Sequence, residues 1–314
     1  MSKNILVTGG AGFIGSHICE LLLSKQSVGK IRVLDNLSTG KLSNIQHILD
    51  KLEFIKGDIC DINVCEKAID GMDIICHQAA IASVPYSIDN PLSSHEHNIN
   101  GTLNLLVVAK KKGIKRFVYA SSSSIYGDNH KLPKTELMSP KLLSPYALNK
   151  RVTEMYAALF TKIYNIDCIG LRYFNVYGPR QDPNGAYPAV IPKFIDSIVN
   201  NKSPTIFGDG NASRDFVYVT DVANANWLAM TTRNKCCYGI AMNVGSGIPT
   251  TLNYLVKTIN KETNKNIVSI YEPTRVGDIP HSLADISKTS KILRFSSNVD
   301  FKMGIKELVE YELS

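Results

Sequence analysis

The sequence contains no run of apolar residues that approaches the length of a membrane-spanning helix, which needs about 20 of them. Its first ten residues, MSKNILVTGG, lack the long apolar core of a signal peptide. Low-complexity tracts and internal repeats are also missing, which disfavours disorder. We therefore expect a folded cytoplasmic protein that makes no membrane contact.

Cysteines are few and scattered: there are seven, an odd number, with no C-x-x-C motif and no nearby pair of histidines. This spacing disfavours both a disulfide framework and a zinc site. We expect a reducing compartment and no bound metal.

A basic nucleic-acid-binding segment is missing as well, although the net charge is +7. Apart from one KKK run at residues 110–112, the lysines are spread along the chain and are not interleaved with stacking aromatics. The pattern predicts no nucleic-acid partner, and it remains compatible with a small anionic ligand.

What the sequence does contain is an alternation of short apolar runs with segments long enough for helices. It predicts an α/β fold with a Rossmann-like, doubly wound parallel sheet. The predicted strands are residues 4–9, 30–35, 52–57, 73–78, 116–122 and 167–173. After residue 174 the regularity fades, and helices are expected near 187–200, 220–232, 250–264 and 303–312.

This change in pattern divides the chain into two expected domains. We assign 1–174, with roughly 216–246, to an NAD-binding Rossmann domain, and 175–215 with 247–314 to a smaller C-terminal lobe that binds the substrate. The lobe would complete a cleft over the carboxyl ends of the strands, where such folds bind ligands.

The first predicted strand ends in TGGAGFIGSH, a glycine-rich turn. Two spacings fit a dinucleotide fingerprint equally well, one starting at Gly9 and one at Gly10, and both continue through Gly12 and Gly15. Such glycines allow a tight turn and a close approach of the backbone to a pyrophosphate at the helix N-terminus.

Acidic residues follow the next two strands. Asp35 stands 20 residues after Gly15, where a carboxylate can hydrogen-bond ribose hydroxyls and repel a 2′-phosphate, which favours NAD over NADP. Asp58 is placed to reach the adenine amine, although it would serve nearly as well as a helix cap.

Two further stretches, YASSSSIYG and SPYALNK, carry candidate catalytic groups. Tyr146 and Lys150 are four residues apart and therefore share one helical face. A tyrosine has an ordinary pKa of about 10, and positive charge nearby favours the phenolate needed in a base. The alternative is a surface tyrosine beside an unrelated lysine.

With the glycine turn, the serine cluster and the Tyr146–Lys150 pair, the chain resembles the extended short-chain dehydrogenase/reductase family over almost its whole length. The resemblance implies that Ser122, Tyr146 and Lys150 act together, with Ser123 and Ser124 beside them. It also implies an NAD site formed by Gly9, Gly12, Phe13, Ile14, Gly15, Asp35, Asn36, Ser38, Thr39, Gly40, Asp58, Ile59, Gln78, Ala79, Ala80, Tyr146, Lys150 and Tyr173.

The family includes epimerases, dehydratases, decarboxylases and reductases. Its dehydratases and decarboxylases resemble one another in an acidic residue just after the motif hydroxyl, where this chain has serines, so epimerisation is favoured and reduction ranks second. Residues 171–195 and 205–216 resemble the substrate segments of nucleotide-sugar 4-epimerases. The implied UDP-sugar contacts are Ser83, Ser122, Ser123, Tyr146, Asn175, Ala189, Val190, Lys193, Phe194, Thr205, Ile206, Phe207, Arg214, Arg275, Asp278 and Ser282.

Several of these positions have simpler interpretations. Arg214 would form an ion pair with Asp209 or Asp215, and Arg275 one with Asp278. Asn175 stands where uronate 4-epimerases usually have threonine, which counts against that group.

Ser282 carries the expected substrate preference. At this position, galactose epimerases restricted to unacetylated sugars resemble one another in a bulky tyrosine, and serine leaves room for a 2-acetamido group. The resemblance thus implies 4-epimerisation of UDP-GlcNAc and UDP-GalNAc. Open alternatives are UDP-Glc and UDP-Gal as additional substrates, a UDP-hexuronate or N-acetylhexosaminuronate 4-epimerase, a nucleotide-sugar reductase, or a non-catalytic dinucleotide sensor. The family resemblance further implies a homodimer through segments 91–112 and 145–164, and a product used in polysaccharide or glycan synthesis.

Overall fold

The computed structural model describes residues 2–183, 189–274 and 279–314. The strands are β1 (Lys3–Thr8), β2 (Val28–Asp35), β3 (Glu53–Lys56), β4 (Ile74–His77), β5 (Arg116–Ser122), β6 (Asp167–Tyr173), β7 (Asn175–Tyr177), β8 (Thr205–Phe207), β9 (Ser213–Tyr218), β10 (Ile240–Val244), β11 (Pro249–Thr251) and β12 (Ile270–Glu272). The α-helices are α1 (Phe13–Leu23), α2 (Ile62–Ile69), α3 (Val84–Asp89), α4 (Pro91–His95), α5 (Gly101–Lys111), α6 (Pro145–Tyr164), α7 (Val190–Val199), α8 (Val219–Thr231), α9 (Leu252–Glu262), α10 (Ser287–Leu293) and α11 (Phe301–Leu313).

The central sheet has seven strands in the order β10-β6-β5-β4-β1-β2-β3, and every adjacent pair is parallel. The predicted Rossmann-like fold and all six predicted strands are confirmed. The seventh strand, β10, was not predicted as a strand. Because the strand order reverses beside β1, a crevice opens between the carboxyl ends of β1 and β4, which is where such sheets bind ligands.

Apolar side chains cover both faces of this sheet. One buried cluster joins the sheet to α1 and α8 and includes Ile18 and Ala225. The other joins it to α2, α5 and α6 and includes Leu105 and Phe160. Trp227, the only tryptophan of the chain, lies on α8 with its ring partly buried against the first cluster and the Lys25 ammonium 5.6 Å from its centre. In the described part of the chain, no helix is both long and apolar enough to cross a membrane.

A separate core holds the C-terminal part of the chain together. It consists of buried residues from β7, β8, β9, α7, α9 and α11, among them Tyr177, Phe194 and Ile206. Around it lie a three-stranded sheet, β11-β9-β7, and a two-stranded sheet, β12-β8.

Asp215, on β9, fastens the segment that carries Ser282. Its carboxylate is fully buried and accepts hydrogen bonds from the backbone N–H groups of Ser246 (2.6 Å), Gly247 (3.0 Å) and Ala284 (3.0 Å). Ser282 itself donates its backbone N–H to the carbonyl of Ser213 at 3.0 Å. The bonds from Ala284 and from Ser282 fix the position of Ser282 relative to β9.

Candidate active site

A cleft of about 730 Å³ opens at the carboxyl ends of the central strands. All the predicted cofactor residues line it, as do Ser122, Ser123, Asn175, Ala189, Arg214 and Ser282. We call the part next to β1, β2 and β4 the cofactor half, and the part next to β7 and β9 the sugar half.

The glycine turn forms one wall of the cofactor half. Gly9 has a φ of +70°, which side chains rarely tolerate, and the N–H of Gly12 donates to the carbonyl of Gly9 at 3.1 Å. A Cβ atom on Gly15 would lie 2.0 Å from that same carbonyl oxygen. The turn therefore needs glycine at these positions, and it brings the N-terminus of α1 to the cleft, as a pyrophosphate requires.

Asp35 ends β2 inside the cofactor half. Its carboxylate accepts hydrogen bonds from the N–H groups of Ala11 (3.0 Å) and Leu37 (2.8 Å). Burial raises the pKa of this carboxyl, and the two amides offset the rise only in part. A carboxylate can accept about four hydrogen bonds, so acceptor sites remain for ribose hydroxyls.

Asp58 lies in the same half and is not the helix cap that was its alternative role. Asp61 caps α2, with its side chain accepting from the N–H of Asn63. The Asp58 carboxylate instead accepts from Asn36 Nδ2 and the N–H of Cys60, both at 2.8 Å. Burial raises the pKa of Asp58, but these bonds outweigh burial and leave the pKa below its usual value. The geometry fits a carboxylate that faces the adenine end of a dinucleotide.

Asp58 also belongs to the one group of three potential metal ligands found among residues 2–183, 189–274 and 279–314. The other members are Cys60 and His97, whose Nε2 lies 3.6 Å from Asp58 Oδ2. The Asp58 carboxylate in this group already accepts two hydrogen bonds. The expectation that the protein binds no metal stays a prediction.

Three polar side chains close a ring behind the cofactor half. Asn226 Nδ2 donates to the Tyr173 hydroxyl (2.7 Å), which donates to Gln78 Oε1 (3.0 Å), and Gln78 Nε2 donates to Asn226 Oδ1 (3.0 Å). Asn226 is fully buried on α8. Because each member of the ring satisfies the next, the predicted cofactor residues Gln78 and Tyr173 are held in fixed orientations. Asn226 was not predicted.

Tyr146, Lys150 and Ser122 meet where the two halves join. Burial raises the pKa of Tyr146 to about 12, and a hydrogen bond with the Ser122 side chain partly opposes this. Lys150 Nζ lies 5.8 Å from the centre of the Tyr146 ring and donates to the carbonyl of Ala120 at 2.9 Å. Burial lowers the pKa of Lys150 to about 8. The arrangement places a phenol, a hydroxyl and an ammonium side by side, as proton transfer at a sugar hydroxyl requires.

The first turn of α6 is anchored so that Tyr146 faces the cleft. Ser144 caps the helix by accepting from the N–H of Ala147. The N–H of Tyr146 donates to Ser87 Oγ at 3.1 Å. Ser87 is fully buried in α3, so it holds the start of α6 from the neighbouring helix.

One turn beyond Lys150, Glu154 ties α6 to the sheet. Its carboxylate accepts from Arg172 Nε (2.7 Å) and Nη2 (2.8 Å) and from Ser121 Oγ (2.7 Å). Burial raises the pKa of Glu154, but Arg172 outweighs burial and holds the pKa below its usual value. The pair fixes α6 against β5 and β6 directly behind the candidate catalytic groups.

The sugar half contains fewer of the predicted residues. Asn175, Ala189, Arg214 and Ser282 line the main cleft, and Val190 lines an adjoining pocket of about 240 Å³. Phe194 and Ile206 are buried in the core of the lobe, Lys193 is exposed, and Thr205 and Phe207 belong to β8. Ser83 caps α3 by accepting from the N–H of Tyr86. Arg275 and Asp278 lie outside the described residues.

The suggested ion-pair partners of Arg214 are engaged elsewhere. Asp215 accepts the three backbone bonds described above, and Asp209 accepts from the N–H and Nδ2 of Asn211. Arg214 Nη1 donates to the carbonyls of Ser213 (3.0 Å) and Pro280 (3.3 Å), so the guanidinium lies at the edge of the sugar half.

Some cleft residues were missed because no motif marks them. In the described structure the Ser124 hydroxyl is buried without a hydrogen-bond partner, and so is Gln181 Oε1. Their only sequence signal is proximity to predicted residues. The missed cleft residues include Lys41, Asn44, Ile81, His97, Ser124, Tyr126, Lys134, Phe174, Arg180, Gln181 and Asp182.

Comparison with known proteins gives this geometry a context. Residues 5–245 match the model of the NAD dependent epimerase/dehydratase family. The chain is 41% identical, over 98% of its length and 97% of the relative's, to the putative UDP-glucose 4-epimerase of Methanocaldococcus jannaschii.

Two solved structures illustrate the range of substrates among its relatives. One is the UDP-N-acetylglucosamine 4-epimerase of Methanobrevibacter ruminantium in complex with UDP-N-acetylmuramic acid, with 41% identity, a TM-score of 0.93 and coverage of 99% of this chain and 98% of that one. The other is the UDP-glucuronic acid 4-epimerase of Bacillus cereus in complex with UDP-glucuronic acid and NAD, with 31% identity, a TM-score of 0.90 and coverage of 99% and 100%.

Proposed function

We propose a specific reaction for this chain, which belongs to the NAD dependent epimerase/dehydratase family. It interconverts UDP-GlcNAc and UDP-GalNAc by 4-epimerisation through a 4-keto sugar. It is an isomerase of the UDP-sugar 4-epimerase group, and its cofactor is NAD. The glycine cradle and Asp35 fit that cofactor.

NAD supplies, when bound, the reversible hydride acceptor for the sugar. Tyr146 takes the proton of the sugar 4-hydroxyl and later returns it. Ser122 hydrogen-bonds the same oxygen, and the Lys150 ammonium stabilises the phenolate form of Tyr146. The raised pKa of Tyr146 means that nearby positive charge is needed before the tyrosine can act as a base at neutral pH.

The 4-keto sugar must turn about its link to the diphosphate so that the opposite face is presented. Tight binding of UDP together with loose binding of the sugar suits this step, since a clamp on one sugar face would oppose it. We propose that Arg214, Asn175 and Ala189 contribute to UDP binding and that Ser83 contacts the sugar. The other positions proposed to bind UDP are Val190, Lys193, Phe194, Thr205, Ile206, Phe207, Arg275 and Asp278. An arginine fork suits the diphosphate because it can bind two phosphate oxygens.

The observation that carries the acetylated substrate is Ser282. This small residue lines the same cleft as Ser123 and Ser124, and Asp215 and Ser213 fix the segment on which it lies. Serine at this position leaves room in the cleft for a 2-acetamido group. A tyrosine at 282 would fill the space.

The experiment compares turnover of UDP-GlcNAc, UDP-GalNAc, UDP-glucose, UDP-galactose and UDP-glucuronate by product analysis, with NADH absorbance followed in parallel. Ser282→Tyr should lose about a hundredfold of its activity on the acetylated pair and keep most of its activity on the hexose pair. Ser282→Ala, which preserves the space, is the matched control and should keep the acetylated activity.

Three outcomes would replace the proposal. Preference for UDP-glucuronate would make the chain a uronate 4-epimerase, and NADH formed in step with substrate loss would make it a dehydrogenase or reductase. Undiminished acetylated turnover by Ser282→Tyr would remove Ser282 as the determinant.

We also propose the two-domain division given by the sequence, a cytoplasmic location, and a use of the product in polysaccharide or glycan synthesis. A homodimer is supported by the outer face of α6, where Leu148, Met155, Leu159 and Ile163 are each about half exposed along one stripe. Light scattering should show a dimer that Met155→Glu combined with Leu159→Glu converts to a monomer. A monomeric wild type would contradict this.

A further inference from the structure

Residues 179–182, which we call the strap, follow β7 and run along the cofactor half of the cleft. Arg180, Gln181 and Asp182 line that cleft together with the glycine turn and Asp35. The strap begins at β7, in the sugar half of the cleft. Contacts that hold the strap against α1 therefore also connect the sugar half to the cofactor half.

The main fastening is a bidentate ion pair between Arg180 and Glu20 of α1. Arg180 Nη1 lies 2.7 Å from Glu20 Oε1, and Nη2 lies 2.6 Å from Oε2. The Arg180 side chain is 9% exposed, although its backbone φ of 69° is unfavourable for a residue with a side chain. A strained backbone is retained only where surrounding contacts hold it, and here those contacts are the Glu20 pair.

His17 holds the same arginine from a second side. The ring of His17 accepts from Arg180 Nη2 through Nδ1 (2.8 Å) and faces the carbonyl of Pro179 through Nε2 (3.0 Å). Both contacts are satisfied by a neutral ring protonated on Nε2. Burial and the neighbouring guanidinium lower the pKa of His17 to about 4, in agreement with a neutral ring.

The strap is also fastened to the segment after β2. Arg180 Nη1 donates to the carbonyl of Asn44 at 3.0 Å, and Lys41 Nζ lies 2.9 Å from Asp182 Oδ2. Lys41 and Asn44 in turn donate to the carbonyl of Ala11, through the Lys41 N–H and Asn44 Nδ2. The strap is therefore connected to the glycine turn through Lys41 and Asn44.

We propose that Glu20 and Arg180 are positioning residues that hold the strap closed along the cofactor half and so keep NAD bound between turnovers. In an epimerisation the hydride returns to the sugar, so NAD is regenerated in each turnover and does not need to leave the enzyme. The proposal rests on NAD as cofactor and is independent of which sugar is the substrate.

The test measures the release of NAD from the purified holoenzyme, trapped as it leaves by an NAD-consuming enzyme. Glu20→Gln should release NAD about tenfold faster than wild type, since losing one partner of a hydrogen-bonded charge pair acts mainly on the dissociation rate, and Arg180 in this pair is buried. Activity lost on dialysis should return when NAD is added back.

The matched control is Glu53→Gln. Glu53 also forms an arginine pair on the surface of the nucleotide domain, with Arg32 Nε at 2.9 Å and Nη2 at 2.8 Å, and neither residue lines the cleft. Equal NAD release from Glu20→Gln and Glu53→Gln would overturn the proposal.

Asp182→Asn provides a second variant whose surface position leaves folding intact, with a smaller expected acceleration of about twofold to threefold. If Glu20→Gln does not fold, Arg180→Lys together with Asp182→Asn decides. NAD release from both at the wild-type rate would overturn the proposal, and faster release from both would support it.

Discussion

The cofactor half and the sugar half of the cleft are built in different ways. In the cofactor half, two backbone N–H groups orient Asp35, and the members of the Gln78–Tyr173–Asn226 ring satisfy one another. In the sugar half, Arg214 bonds to two carbonyls, and the nearby Ser124 hydroxyl is buried without a partner in the described structure. A preorganised site suits a ligand that stays bound, and unsatisfied groups suit a ligand that arrives and leaves.

Tyr146 serves both halves, so its removal should have the largest effect. Tyr146→Phe should lower the turnover number about a thousandfold, because the proton of the sugar hydroxyl then has no acceptor. NAD should remain bound, and the ratio of NAD content to protein concentration, the latter measured by absorbance, will show this. Tyr156→Phe, on the same helix, is the matched control and should keep wild-type turnover.

The packing of α6 against the sheet, behind Tyr146 and Lys150, depends on the Glu154–Arg172 pair. Glu154→Gln should lower the free energy of unfolding by about 3 kcal/mol, because it leaves a buried guanidinium without its counter-charge. Chemical denaturation gives the value. Glu66→Gln, which breaks the exposed pair with Lys111, should leave the denaturation midpoint unchanged, and equal losses from both variants would contradict this account.

A substitution at Asn226 should affect NAD binding, whereas a substitution at a comparable asparagine outside the cofactor half should affect stability alone. Asn226→Leu should weaken NAD binding about tenfold, since Gln78 and Tyr173 each lose a partner. Asn260→Leu removes an asparagine of the C-terminal lobe that exchanges bonds with Ile267, and it should affect stability alone. Calorimetric titration of NAD into both apo variants checks the difference.

The smallest expected effect is on stability at acid pH. His77 lies fully buried between Thr8 and Thr102, at 2.7 and 2.9 Å. Burial and Lys150 lower its pKa from 6.5 to about 3. The unfolded chain therefore binds more protons in this window, and stability contributed by neutral His77 is lost as the pH falls from 6.5 towards 3.

His77→Gln can keep both hydrogen bonds and should flatten the fall of the melting temperature over this pH range. His95→Gln, on the surface, should leave the slope as it is in wild type. A wild-type slope in His77→Gln would show that the carboxylates alone set the acid sensitivity.

The positions of candidate residues could be predicted from sequence where these residues lie at the ends of regular strands, and their roles stay predictions. Asp35, Gln78 and Ser122 follow apolar runs whose topology brings them to one edge of the sheet, so local pattern was enough. Asn226 bonds to Gln78 across 148 residues, and Arg180 bonds to Glu20 across 160, so neither pair leaves a local signal. The ring and the strap were therefore missed.

In the lobe, the same apolar pattern fits two roles. Phe194 and Ile206 were predicted to contact the UDP-sugar, and their side chains pack in the core of the C-terminal part of the chain. Those contacts stay predictions. The hydrophobicity of a residue predicts that its side chain is buried. It does not show whether a ligand or the protein interior buries that side chain.

Trp227 gives the molecule a built-in optical probe. As the only tryptophan, it emits from a single known place, on the helix that carries Asn226 directly behind the NAD site. Its emission should respond to events on that face of the sheet, with no contribution from a second indole elsewhere. Cofactor loss and local opening beside the central sheet can thus be timed in solution without attaching a dye.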